Sequence, residues 1–296
     1  MGNVKSLEVS RVWVAGLLLA VVLALAGCSL LPEVGADETA NWSADQLYRE
    51  AHGALVSGNY TRAVKLFETL EARFPYGRYA QQAILEGAFA NWRASEQAAA
   101  LANLNRFIRT YPNHPNVDYA FYLKGLVHFR EDQGIFGYVY ELDLSERDPK
   151  EMRASFAAFK ELTVRFPESQ YYDDSISRMK YLNNAIGMYE VHVARYYYNR
   201  GAYIAAVNRA QLSIVNNPQT PSNEEALGVL VASYNKLNLP QLADDSQRIL
   251  AKTFPESKYV KGSLDKPWWQ IWSPNDTTLG VQATGELAVK PWWQFW

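Results

Sequence analysis

The sequence predicts an all-α chain, a solenoid of five helical hairpins, and three observations predict it. An aromatic-Pro step recurs at Phe74-Pro75, Tyr111-Pro112, Phe166-Pro167 and Phe254-Pro255, with Asn217-Pro218 as a weaker fifth copy. Small and apolar residues stand at fixed distances before each of those prolines. The stretches between them keep apolar residues three and four apart, the period of an amphipathic helix.

Twelve residues before the prolines stand Ala63, Ala100, Ser155, Ala206 and Ala243, small enough for the two helices of a hairpin to cross closely. Eight before stand Phe67, Leu104, Phe159, Ala210 and Gln247, and five before stand Leu70, Phe107, Leu162, Ser213 and Leu250; the larger of these fill the gap to the next unit. Seventeen before come Gly58, Ser95, Lys150, Gly201 and Asn238, mostly types that tolerate a turn. Each unit thus reads as helix A, a short turn, and helix B stopped by a proline that cannot continue it. With Tyr60 and Tyr203 fifteen before two of the prolines, the order Gly, Tyr, Ala, Phe, Pro resembles the tetratricopeptide repeat over most of 42–260.

The prolines are 37, 55, 51 and 37 residues apart, so two intervals carry extra chain. The excess between Pro112 and Pro167 is assigned to an inserted loop over Glu131 to Pro149, which holds Gly134, Gly137 and an aromatic cluster. The excess between Pro167 and Pro218 lacks proline over Tyr171 to Asn199 and predicts one long central helix, roughly four turns longer than its equivalents. The expected organisation is a cleaved signal peptide over 1–27, a tether over 28–41, repeats one to three over 42–169, repeats four and five over 170–260, and an irregular Trp-rich tail over 261–296.

The N-terminus carries Lys5 and Arg11 ahead of an uncharged run from Val12 to Ala26, the pattern of an export signal and short for a membrane span. The run ends in Leu25-Ala26-Gly27-Cys28, which resembles the bacterial lipobox; Cys28, the chain's one cysteine, is then the lipidated new N-terminus, with palmitate among its acyl chains. Ser29 behind it, by resemblance to enterobacterial sorting, implies the outer membrane, with the protein held on its periplasmic face. The competing reading is an ordinary signal with an incidental thiol.

The tail carries two near-copies of one heptapeptide, Lys266 to Trp272 (KPWWQIW) and Lys290 to Trp296 (KPWWQFW). Their Trp268, Trp269, Trp272, Trp292, Trp293 and Trp296 are candidate docking residues, since each ring removes on the order of 150–250 Å² from water when it docks. A membrane interface, a partner's groove and the exposed face of the last repeat are the three receptors weighed.

Lys plus Arg total 29 against 31 Asp plus Glu, so a net charge of -2 offers no cationic field for nucleic acid. One cysteine and four scattered histidines (His52, His114, His128, His192) supply no zinc pattern, and no metal or other cofactor is expected. No nucleophile elbow, zincin, P-loop or dinucleotide fingerprint is present, so no catalytic residue is assigned and the chain reads as a binding protein rather than an enzyme. The acidic pairs Asp173-Asp174, Glu224-Glu225 and Asp244-Asp245 are expected near helix starts.

Several longer strings are more specific than the repeat consensus: Arg73 to Tyr79 (RFPYGRY), Arg106 to Tyr119 (RFIRTYPNHPNVDY), Arg147 to Arg153 (RDPKEMR) with Phe156, Pro167 to Tyr171 (PESQY) and Arg200 to Arg209 (RGAYIAAVNR). On these, residues 42–260 resemble the BamD family of lipoproteins of the bacterial β-barrel assembly machine. The resemblance implies a scaffold of that complex at the outer membrane. Its partners would be the periplasmic domains of the barrel-forming core subunit, other accessory lipoproteins and nascent β-barrel proteins. It implies substrate binding by the N-terminal repeats and core-subunit binding by the C-terminal ones. By position, Tyr60, Tyr76, Tyr79, Asn91 and Trp92 are candidates for the substrate-peptide groove and Arg200 and Arg209 for the core-subunit contact. The tail departs from the family pattern. The rival function is a periplasm-facing repeat adaptor lipoprotein in cell-wall synthesis or envelope transport.

Overall fold

A computed structural model describes residues 38–129 and 148–260 of the 296. Among them stand ten α-helices and no strand: α1 Ala44–Val56, α2 Tyr60–Arg73, α3 Arg78–Arg93, α4 Gln97–Thr110, α5 Val117–Phe129, α6 Lys150–Arg165, α7 Tyr172–Asn199, α8 Tyr203–Asn216, α9 Ser222–Lys236 and α10 Pro240–Thr253. The chain divides between Leu47 and Tyr48 into two units. The described part of the first is a turn, closed by the Trp42 N–H on the Thr39 carbonyl, and the start of α1, where the Gln46 N–H donates to Ser43 Oγ. In the second unit, from α2 onward each helix packs on the next, and the helices A pack on one another as α3 on α5 and α7 on α9. This is the stacked-hairpin array that the repeat predicts.

The repeat register explains the architecture residue by residue. Ala63, Ala100, Ser155, Ala206 and Ala243 are all buried, as are Leu70, Phe107, Leu162, Ser213 and Leu250. The two serines in these sets satisfy themselves on helix A backbone: Ser155 Oγ–H donates to the Gly125 carbonyl (2.8 Å) and Ser213 Oγ–H to that of Gly187 (3.0 Å). Each helix B ends at the residue before proline, where the pyrrolidine ring pushes the backbone out of the helical region. Phe74, Tyr111, Phe166, Asn217 and Phe254 accordingly share φ between -126° and -131° and ψ between 57° and 69°, each donating its N–H to the carbonyl four residues back.

The turn between helix A and helix B needs one residue with left-handed backbone, and Gly58 (φ 80°), Ser95 (66°), Gly201 (76°) and Asn238 (56°) supply it. Lys150 does not. It is the first residue of α6, behind Pro149. The inserted loop itself lies outside the described residues, as do 1–37 and the tail. The long helix is present as α7, 28 residues against 13 to 16 for the other nine described helices.

Asp173, Asp174, Glu224 and Glu225 do sit in first helical turns. Asp244 and Asp245 do not, because α10 already starts at Pro240 and places them in its second turn.

Candidate functional site

In the N-terminal repeats the candidate groove residues divide by exposure. Tyr76, in the loop between α2 and α3, is 89% exposed. Tyr60 opens α2 half-buried, with the Arg93 guanidinium 5.2 Å from its ring centroid. Tyr79, near the start of α3, lies 5.5 Å from the Tyr48 ring, and Trp92 packs edge-on to Phe89 at 5.7 Å. Asn91 differs from the others: it is buried, and one Nδ2–H donates to the Gly87 carbonyl of its own helix (2.9 Å).

The sequence reading missed the group beside these rings. Glu86, on the buried face of α3 with no solvent exposure, accepts from Tyr48 Oη–H at 2.6 Å and faces His52 Nδ1 at 2.9 Å. Burial and the adjacent carboxylate push the Tyr48 phenol far up, so it stays a donor. The hydrogen bond to Glu86 raises the His52 pKa above its ordinary 6.5, against the opposing effect of burial. A raised histidine contributes stability fully present below the unfolded-state value of 6.5 and lost as pH rises through the folded-state value. The stability difference between the native chain and His52→Phe is therefore expected to shrink from pH 5.5 to pH 8.5; urea midpoints for both at each pH measure it, and a pH-independent difference rejects the pairing.

Where the third repeat meets the fourth, a groove of about 480 Å³ opens between α6, α7 and α8. Glu190 sits in its wall, 5% exposed, and accepts from Arg153 at 2.9 Å through one oxygen and from Arg209 at 3.0 Å through the other. Two partly exposed guanidiniums on one carboxylate leave one net positive charge, bordered by Phe156, Ile186 and Leu212. This arrangement can bind an anionic, partly apolar peptide segment, and holds no nucleophile or acid-base pair. Arg200 is not part of it. It lies exposed behind α7, stacked 5.2 Å from the Tyr196 ring. The structure thus brings Arg209 together with Arg153 and Phe156, residues of two separate strings of the sequence, and leaves Arg200 apart.

His114, in the loop after α4, accepts the Asn116 N–H on Nδ1 and packs edge-on to Phe107, a capping role. Among the described residues no group of three or more His, Cys, Asp and Glu is placed to hold a metal, and no helix is long and apolar enough to cross a membrane. Cys28 and the six tail tryptophans lie outside the described residues.

Residues 40–250 match the YfiO family, described as outer membrane lipoprotein. The chain belongs to this family. It is 48% identical over 255 residues to the outer membrane protein assembly factor BamD of Neisseria meningitidis serogroup B, covering 84% of this chain and 96% of that protein. It is 34% identical over 259 residues to the protein of the same name from Xylella fastidiosa, covering 88% and 87%, and 34% identical over 226 residues to that of Vibrio cholerae, covering 76% and 92%. The family match spans all ten described helices to within three residues of the end of α10 and stops short of the tail.

Proposed function

We propose that this chain is a lipid-anchored scaffold subunit of the β-barrel assembly machine, held at the periplasmic face of the outer membrane and needed for the assembly and insertion of β-barrel proteins. The observation that carries the proposal is the 48% identity to a named outer membrane protein assembly factor over 96% of that factor's length. The stacked helices, with exposed Tyr76 and partly buried rings in the first two repeats and a paired-arginine groove further along, support a mechanism of binding without bond-making. Tyr60, Tyr76, Tyr79 and Trp92 are the proposed contacts for nascent β-barrel segments, and Arg200, Arg209 and Arg153 those for the periplasmic domains of the core subunit. Cys28 carries the lipid, and accessory lipoproteins complete the complex.

Depleting the protein from cells is expected to reduce folded β-barrel proteins in the outer membrane, read as loss of their heat-modifiable bands, while outer-membrane lipoproteins persist. Purification from detergent-solubilised membranes should recover the core subunit in the same preparation. Unchanged barrel levels after depletion, or a preparation holding cell-wall enzymes and no barrel-assembly subunit, would sink the proposal.

A further inference from the structure

The outward face of helix B changes character along the chain. Counting back from each repeat proline, positions 14, 13, 10, 6 and 3 fall within about 100° of one another around the helix and form one stripe. On α2, α4 and α6 the stripe is charged or small, with Arg62, Arg106, Arg109, Arg153 and Glu161 in it and Val164 as its one branched apolar residue. On α8 it holds Ile204, Leu212 and Val215, exposed by 67%, 40% and 73%, around Asn208, with Leu212 at the border of the groove described above. On α10 the same face holds Leu242 and Ile249, exposed by 45% and 52%, along one edge, with Gln241, Asp245 and Lys252 beside them. Exposed branched apolar side chains, three on α8 and two on α10, thus recur on two consecutive units and call for a cover.

The chain beyond Val260 supplies two copies of an apolar, aromatic heptapeptide, one for each stripe. It also leaves from the right place. The Gln247 side-chain N–H donates to the Val260 carbonyl (3.4 Å), which fixes the exit point against α10. Trp268 follows eight residues later, a reach of up to about 27 Å, whereas half the way round a helix with its side chains is about 17 Å. Each copy opens with a lysine, and Asp244 stands exposed on the flank of the α10 stripe as a counter-charge for Lys266. The 24 residues from Lys266 to Lys290 give the second copy the length to reach α8.

We propose that the two heptapeptides dock on the outward apolar stripes of the same chain, Lys266 to Trp272 on α10 and Lys290 to Trp296 on α8, so that the tail is a tethered ligand of its own last two repeats. Tethering places each copy at an effective concentration in the millimolar range, so even weak docking of the rings is occupied most of the time.

The test is disulfide trapping in the full chain in its native membrane. Chains carrying Ile249→Cys with Gln270→Cys, or Val215→Cys with Gln294→Cys, are expected to form an intramolecular bond, seen as a faster-migrating monomer without reductant. Val56→Cys with Gln270→Cys, and Gln270→Cys alone, should not. Adding Leu242→Asn to the first pair should lower its yield severalfold, and circular dichroism of that variant confirms that the helices remain. Equal yields from the stripe and from position 56 would overturn the proposal as unspecific collapse. A product of doubled mass would assign the stripes to a second copy, and no product at all would assign the tail to a bilayer or another protein; either result overturns it.

Discussion

Phe159→Ala is expected to destabilise the protein by about 3–5 kcal/mol, the cost of a large buried ring lost without collapse of the site. Phe159 is fully buried at the position eight before Pro167, where α6 crosses α5. The crossing is close because Gly125 stands opposite: a Cβ there would lie 2.5 Å from the Phe159 ring. Tyr122 packs on the same ring at 6.0 Å between centroids, and itself donates to Asp174 at the start of α7 (2.8 Å). Loss of the ring therefore loosens α5 against both α6 and α7. Stacked hairpins transmit such losses mainly to nearest neighbours, so amides of α5 and α6 should lose hydrogen-exchange protection well before those of α9 and α10. Combining Gly125→Ala with Phe159→Leu should recover part of the loss by refilling the space. An unchanged urea midpoint for Phe159→Ala would contradict the packing.

Cys28→Ser is expected to remove the protein from the outer-membrane fraction almost completely. A lipidated cysteine buries dozens of methylenes at about 0.8 kcal/mol each, which makes release negligible, whereas the described helices include none that could span a bilayer and replace it. Density-gradient fractions probed for the two forms measure the effect, and mass spectrometry of the native N-terminal peptide should find the acyl chains on Cys28. Outer-membrane retention of the variant would mean that another contact, with the proposed core-subunit contact as first suspect, carries the attachment.

What the sequence makes legible is whatever the repeat enforces locally. The small residue at Ala63 and its equivalents, the left-handed turn at Gly58, Ser95, Gly201 and Asn238, and the pre-proline helix ends all follow from backbone sterics within one hairpin, and all can be read from spacing. The length of α7 follows from proline spacing in the same way. Glu86 with Tyr48 and His52, and Glu190 with Arg153 and Arg209, join residues 19 to 38 positions apart across helix interfaces. No local period singles out one buried glutamate among the others. Asn91 is a related case: its place near the end of α3 suggests a surface, and the rotation of that helix puts it inside.

The 28 residues of α7 amount to a rod of about 42 Å that packs on α6 before it and on α8 and α9 after it. A rod shared in this way acts as a lever. Tilting one end by about 5° displaces the other by about 4 Å, more than side-chain adjustment absorbs in a close-packed interior. A load on α6 and a load on α8 and α9 would therefore strain the same beam, and force applied at one end of α7 would be delivered to the other.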